Sequence, residues 1–437
     1  MNHLHFPLGV RRHGTPFVLA LILLLAFAEA TPARAQEAAL GTSVESLLDY
    51  AKARNPEYAA MRLEAEAARE RVYPAGALPD PMLRTELQNV TNFGAESGTS
   101  FNLLPSRVGS TKYTLTQPLP FWGKRDLKRD AAEAEADVAQ GKAGITWTEQ
   151  AARIKATYAQ YFAAAKLVTL TKEVIDLIDR IEGITQARYA GGLVPQQDAI
   201  RVQVERTAMR SELIQMETES HHARSRLNGL LARPAQSALA VPERLRPIPA
   251  VARLDYVTLE DRLRGRNPNL FADDARIRAA EKNRDLTYRN RYPDFTLGIS
   301  PIQTRNRVNM WELMFELNIP LQQESRRSQE REAEKMIEAS RARKEATANQ
   351  LLADLSENLA GINAARRVET LAQSSLLPQA ELTFRAALAG YETGKVDFAT
   401  LLDAQRQIRK AKQDVIKAQA EQQARLADIE RLIGEDL

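Results

Sequence analysis

Cysteine is absent from the 437 residues. That excludes disulfides, thiolate metal sites and a catalytic thiol, and it leaves no cysteine for N-terminal acylation. Histidine is scarce: five in all, with His3, His5 and His13 crowded at the N-terminus. The other two, His221 and His222, are neighbours. Neighbours on a helix point about 100° apart, so they do not chelate one ion as an i,i+4 pair would. Aromatic residues make up 6%, few for a porin-like barrel with aromatic girdles. Past the N-terminus, no segment reaches the 18 or so apolar residues of a membrane helix; in a membrane, strands must do the spanning. Gly-rich phosphate loops, nucleophile elbows and metal triads are missing too. The reading therefore includes no enzyme activity, no cofactor and no resident metal.

The N-terminus reads as a secretory signal. Arg11 and Arg12 precede the apolar run Phe17–Ala28, too short to span a bilayer as a helix. Ala33-Arg34-Ala35 then fits a small-x-small cleavage site. Residues 1–35 are expected to be removed, leaving Gln36 first; a short anchor helix is the competing reading. The segment holds three Arg and one Glu, so the formal charge of +4 falls to +2, from 60 − 3 basic and 56 − 1 acidic residues. Nucleic acid is not an implied partner.

What remains is rich in Ala, Glu, Arg, Gln and Leu, good helix formers, and it is written twice. Asn55-Pro56 recurs as Asn267-Pro268, Pro79-Asp80 as Pro293-Asp294, and Leu119-Pro120 as Ile319-Pro320. Tyr189 with Gly192 recurs as Tyr391 with Gly394, and Leu230-Leu231 as Leu432-Ile433, both at an offset of 202 residues. Ala-rich helicity alone does not reproduce matched Pro and Gly punctuation. Each half runs short helices (42–73 and 258–289), an alternating strand pair, and two long helices meeting at a glycine tip. Thr42 and Glu45 have capping-box spacing. The expected organisation is a first repeat over 36–231, with a hairpin at 82–119 and a helix pair at 124–231. A proline-rich linker follows at 232–252, then a second repeat over 253–437, with a hairpin at 295–319 and a helix pair at 325–437.

The clearest strand is Trp311–Ile319. Trp311, Leu313, Phe315, Leu317 and Ile319 share one face; Glu312, Glu316 and Asn318 share the other. This is period two over the length of a tilted membrane strand, with the acids toward a lumen or a soluble surface. Phe295–Ile299 is its partner across a turn at Gln303–Asn309. Met82–Val90 and Lys112–Leu119 form a weaker copy around the long loop Asn92–Ser110, and Phe121-Trp122 suit an interfacial belt. Soluble hairpins packed on a core explain the alternation as well; the signal and the aromatic ends favour the membrane. Four strands do not close a barrel, and open edges in lipid cost several kcal/mol per unpaired group. Copies of the chain must pool their strands.

Lys124–Tyr189 lacks proline and spans roughly 100 Å as a helix. Val194–Leu231 returns, and Ser325–Tyr391 and Val396–Leu432 repeat the pair. Pro378 is expected to kink or break the third stretch, and Gly141 and Gly144 to weaken the first. Ile154, Tyr158, Tyr161, Phe162, Ala165, Val168, Ile175, Ile178 and Ile181 make a narrow stripe that expects helical neighbours on both sides.

These strings, in this order, resemble the TolC-like outer-membrane factor family: Arg54-Asn55-Pro56, Gln117-Pro-Leu-Pro-Phe-Trp-Gly-Lys-Arg125, Tyr189-Ala-Gly-Gly-Leu-Val194, Tyr391-Glu-Thr-Gly-Lys-Val396 and Leu401-Leu-Asp-Ala-Gln405. The resemblance covers nearly the whole mature chain. It implies a mainly α chain with a membrane β-barrel: a homotrimer whose twelve-stranded barrel in the outer membrane continues into a twelve-helix periplasmic tunnel. It implies docking to a periplasmic adaptor and an inner-membrane pump. The Pro-Phe-Trp-Gly-Lys string looks most like the branch serving heavy-metal efflux pumps of the RND class, with metal cations as cargo. The chain lacks the acylated cysteine of many members of that branch.

The resemblance also places roles. The tips would dock the adaptor through Tyr189, Gly191, Gly192, Leu193, Val194, Tyr391, Gly394 and Val396; plain turn chemistry explains the glycines equally. Asp403, with Asp198 at similar depth on the first tip helix, would ring a periplasmic gate as an electronegative constriction. Thr400 stands where a further acid is expected, and a solvated helix face is the alternative. A periplasmic coiled-coil adaptor and a soluble helical scaffold remain the rival functions.

Overall fold

The computed structural model describes residues 40–92, 100–101, 103–105 and 108–437; the expected signal segment and much of the first hairpin's loop lie outside them. Gly41–Leu437 form one unit. It opens with α1 (Val44–Arg54), α2 (Pro56–Glu70) and α3 (Val72–Gly76). Strands β1 (Met82–Gln88), β2 (Thr91–Asn92), β3 (Ser100–Phe101) and β4 (Ser110–Leu119) precede the long helices α4 (Lys124–Ala190) and α5 (Gln196–Leu230). The second half holds α6 (Tyr256–Arg266), α7 (Pro268–Arg289), β5 (Phe295–Thr304), β6 (Arg307–Leu317), α8 (Gln323–Leu371), α9 (Leu377–Glu392) and α10 (Phe398–Ile433).

The repeated Asn-Pro pairs do the same work twice. Asn267 ends α6 with its backbone N–H on the Leu263 carbonyl, and Pro268 starts α7, where its missing donor costs nothing. The Asn267 Oδ1 caps α7, accepting from the N–H of Asn269 at 2.7 Å and of Leu270 at 3.2 Å. Its Nδ2 donates to the Leu432 carbonyl at 2.7 Å, at the end of α10. Asn55 accepts from the Tyr58 N–H at 3.0 Å and donates to the Leu230 carbonyl at 2.9 Å. Each half thereby closes its first helices onto its last.

One local expectation is corrected, and two others gain a structural setting. The cap of α1 is Ser43, not Thr42: its Oγ accepts from the Ser46 N–H, and the Ser46 hydroxyl donates back to the Ser43 carbonyl at 2.7 Å. The Thr42 carbonyl instead takes the Tyr158 hydroxyl at 3.1 Å. Gly141 and Gly144 are close-approach points inside the 67-residue α4. A Cβ on Gly141 would stand 2.7 Å from Ala272 Cβ, and one on Gly144 3.1 Å from Pro268 Cβ, so α7 packs there because no side chain intervenes. Pro378 interrupts the long helix as expected: α8 ends at Leu371 and α9 restarts at Leu377, with Pro378 in its first turn. Ala372–Leu376 form a π turn between α8 and α9, a common form of interruption in a long helix.

Two apolar clusters hold the unit. One packs Leu259, Leu263, Leu355, Ile362, Leu426 and Leu432 beside the second Asn-Pro pair. The other packs Ile178, Val202, Tyr391, Phe398 and Leu401 toward the tips. Beside the first lies a buried ion cluster. The Lys155 Nζ of α4 is 2.6 Å from Glu430 of α10, and Arg246 of the linker donates to both Glu430 oxygens at 3.2 and 3.1 Å.

Four of the strands form an antiparallel sheet in the order β1-β4-β5-β6, and β2 pairs with β3 in a small ribbon of its own. Leu83 pairs with Leu115, Leu115 with Ile299, and Ile299 with Leu313. The β5–β6 connection is tighter than expected: Thr304 pairs with Arg307 and only Arg305-Asn306 turn, with a register shift at Ile302/Gln303. Strand β6 ends at Leu317, so Ile319 lies past the strand it was expected to extend.

Candidate functional site: a two-faced sheet and two helix tips

Registry sorts the sheet into two chemically distinct faces. One carries Leu83, Leu115, Leu297, Ile299, Trp311, Leu313, Phe315 and Leu317, all exposed, with Leu313 at 86%. The other carries Arg84, Glu86, Lys112, Thr114, Ser300, Glu312 and Glu316. Lys112 and Glu312 meet there at 2.6 Å, and the Ser300 hydroxyl lies 2.9 Å from that of Thr114. Among the described residues the outermost strands, β1 and β6, are both unpaired on their outer sides. Among the described residues no helix is long and apolar enough to cross a membrane.

At the strand–helix junction the Pro-Phe-Trp-Gly-Lys string acquires separate jobs. Gly123 takes φ +83°, the left-handed turn that starts α4. Phe121 stacks on Tyr292 at 4.6 Å, while Trp122 stays exposed. Buried Lys124 donates to the Tyr292 carbonyl and to Asp294 Oδ1, both at 2.8 Å. Burial works against charge on Asp294, but Lys124 and the Phe121 N–H together hold its carboxyl below the ordinary aspartate value.

Both tips use one motif. Gly192 has φ +68° and Gly394 φ +78°. The Leu193 N–H closes on the Arg188 carbonyl at 2.9 Å, and the Lys395 N–H on the Gly390 carbonyl at 2.8 Å. These are the six-to-one bonds of a glycine-terminated helix. Tyr189, Gly191, Gly192, Leu193 and Gly394 are exposed; Val194 and Val396 are half-buried. Tyr391 differs from its repeat mate. It is 2% exposed, its hydroxyl 3.0 Å from that of Thr185, its ring under the Arg188 guanidinium at 5.2 Å. It staples the two hairpins together. The halves pack against each other, so equivalent residues face different neighbours.

Asp403 stands in a groove with Ala380, Thr383, Arg406 and Lys410. Its side chain is 71% exposed and 3.8 Å from Arg406. Arg406 is held more closely by buried Glu205, at 2.6 Å. Asp198 is half-buried on α5. Sequence reasoning missed the cross-ties Arg406–Glu205 and Arg409–Glu212 between α5 and α10, because charges on long helices read as solvated faces. It also missed Lys155–Glu430; the signal available was a charge set within an apolar stripe. Among the described residues no group of three or more candidate ligands is arranged to hold a metal.

The duplicated chain carries a two-faced antiparallel sheet on long helical hairpins. The family model for outer membrane efflux proteins matches residues 47–233 and 259–435, and the chain belongs to that family. It is similar to the cobalt-zinc-cadmium resistance protein CzcC of Cupriavidus metallidurans, 23% identical over 92% of each chain. Its fold is also that of CusC (TM-score 0.76, 17% identical, 90% of this chain and 92% of that one). The outer membrane protein VceC of Vibrio cholerae is similar as well (TM-score 0.74, 14% identical, 90% and 96%). The protein is an outer-membrane efflux channel.

Proposed function

We propose that three copies form a passive exit duct for divalent metal cations, fed by a periplasmic adaptor and an inner-membrane RND-type pump. The observation that carries the assembly is the sheet: four strands, apolar on one face and charged on the other, open at both edges. An open edge in lipid leaves backbone donors and acceptors unpaired. Pairing β1 of one copy with β6 of the next removes every edge, and three sheets of four supply twelve strands, enough for a passage. Trp311, Leu313, Phe315 and Leu317 then meet lipid, and Glu312 and Glu316 face the lumen. The metal cargo rests on the printed name of CzcC and on the Pro-Phe-Trp-Gly-Lys string; a duct takes its selectivity from the pump.

In this reading Tyr189, Gly191, Gly192, Leu193, Val194, Gly394 and Val396 present the adaptor surface, and Tyr391 supports it from beneath. Asp403 and Asp198 ring the periplasmic mouth, the exposure of Asp403 being what a lumen-facing acid requires. Detergent extraction and mass measurement test the assembly: a trimer from the outer membrane is expected, and a monomer in the soluble periplasm refutes it. In planar bilayers Asp403→Ala should raise resting conductance; unchanged conductance removes Asp403 from the gate.

A further inference from the structure

Where the apolar sheet face meets the helices lies an open cleft of about 530 Å³. Leu119 of β4, Phe295 and Leu297 of β5 and Phe315 of β6 form its wall, with Trp122 at the mouth. The indole is 75% exposed and stands edge-on to Phe295 at 5.8 Å; Phe295 lies 5.8 Å from Phe315. The wall is centred on β4 and β5, the inner strands of the sheet, so the cleft opens on the middle of the apolar face.

One rim is charged. Arg125 and Asp126 line it. The Arg125 Nε donates to the Gly76 carbonyl at 2.8 Å, which fixes the guanidinium in place. The Arg289 guanidinium flanks Gly123, where a Cβ would stand 3.7 Å from its Nε. Among the described residues Arg125 and Arg289 form no ion pair with a carboxylate, Arg289 lying 5.9 Å over the Tyr292 ring, while Asp126 is shared with Arg129 at 3.6 Å. An aromatic slot continuous with a lipid-facing surface, ending at two arginines without carboxylate partners, matches a molecule with an apolar tail and an anionic head.

We propose that the cleft holds one anionic phospholipid of the periplasmic leaflet. An acyl chain lies along Trp122, Phe295 and Phe315, and the head group sits at Arg125 and Arg289. The inference rests on the membrane reading above. The lipid fastens the barrel to the helices at the joint that Gly123 and Lys124 build.

The test is native mass spectrometry of the full chain, delipidated in mild detergent and offered equal phosphatidylglycerol and phosphatidylethanolamine. The expected result is one phosphatidylglycerol per chain, preferred about tenfold, as two basic groups near a head group provide. Arg125→Gln with Arg289→Gln should erase the preference, and Trp122→Ala should lose the lipid, each at unchanged oligomer mass. If the double variant does not assemble, Arg289→Gln alone should reduce the preference. No retained lipid, equal retention of both lipids, or retention unaffected by these changes overturns the site. A soluble monomer, visible in the mass before any lipid is added, refutes the membrane reading instead.

Discussion

Replacing Asn267 with alanine removes three hydrogen bonds at once. Two are the cap on α7, from the Asn269 and Leu270 N–H groups; losing a cap costs about 1 kcal/mol. The third leaves the Leu432 carbonyl without its 2.7 Å donor, beside a residue only 1% exposed. A buried orphaned acceptor costs about 1–3 kcal/mol. The total is about 2–4 kcal/mol, read as a fall in Tm of roughly 3–8 °C by circular dichroism of the purified protein in detergent. Asn267→Asp separates the contributions. It keeps the cap but turns an anion toward the Leu432 carbonyl, so it should be at least as damaging as alanine. Asn55→Ala should show a fall of similar size, because Asn55 repeats the clamp onto Leu230. A fall below about 1 °C for Asn267→Ala, or a well-tolerated Asn267→Asp, would refute the clamp.

Gly141→Ala should destabilise the protein although alanine favours helices by about 0.8–1 kcal/mol. Its Cβ would lie 2.7 Å from that of Ala272, and overpacking costs about 1–3 kcal/mol; Gly183→Ala, with nothing within 4 Å, should stabilise the same helix by about 0.5–1 kcal/mol. Thermal melts of the two variants should move in opposite directions. Asp294 has a lowered folded pKa, so its contribution is complete above about pH 4, the ordinary aspartate value, and is lost as pH falls through the lower folded value. Asp294→Asn should flatten that acid-side loss in melts between about pH 2 and 4; an unchanged slope would count against the Lys124 latch. Leu313→Arg should cost about 2–4 kcal/mol of barrel stability if the residue meets the bilayer midplane, whereas Glu316→Gln on the other face should be tolerated. Heat-modifiable mobility of the assembled barrel reports both, and equal tolerance would refute the facing.

The features legible in the residues are those set by local chemistry. Asn-Pro announces a helix restart because asparagine caps and proline suits the first turn. Gly192 and Gly394 announce tips because the motif demands positive φ. Trp311–Leu317 announces a two-faced strand because side chains alternate. Even these had blurred ends, as with Ile319 beyond β6 and the cap at Ser43. Neither follows from period alone, since strand length and cap choice depend on which neighbours supply bonds.

By itself, the sequence determined the duplication, the order of helices and strands, and the need for further copies to cover two open edges. Only the tertiary structure decided which repeat-related residues share a role. Asn55 and Asn267 do, because each clamps the last helix of its own half. Tyr189 and Tyr391 do not, because each hairpin meets a different neighbour when the halves pack. The same holds for Gly141, where closeness to Ala272 arises between helices, and for Lys124, whose partner Asp294 is 170 residues away. Contacts across such separations are fixed by packing geometry, and periodicity along one segment carries no record of them.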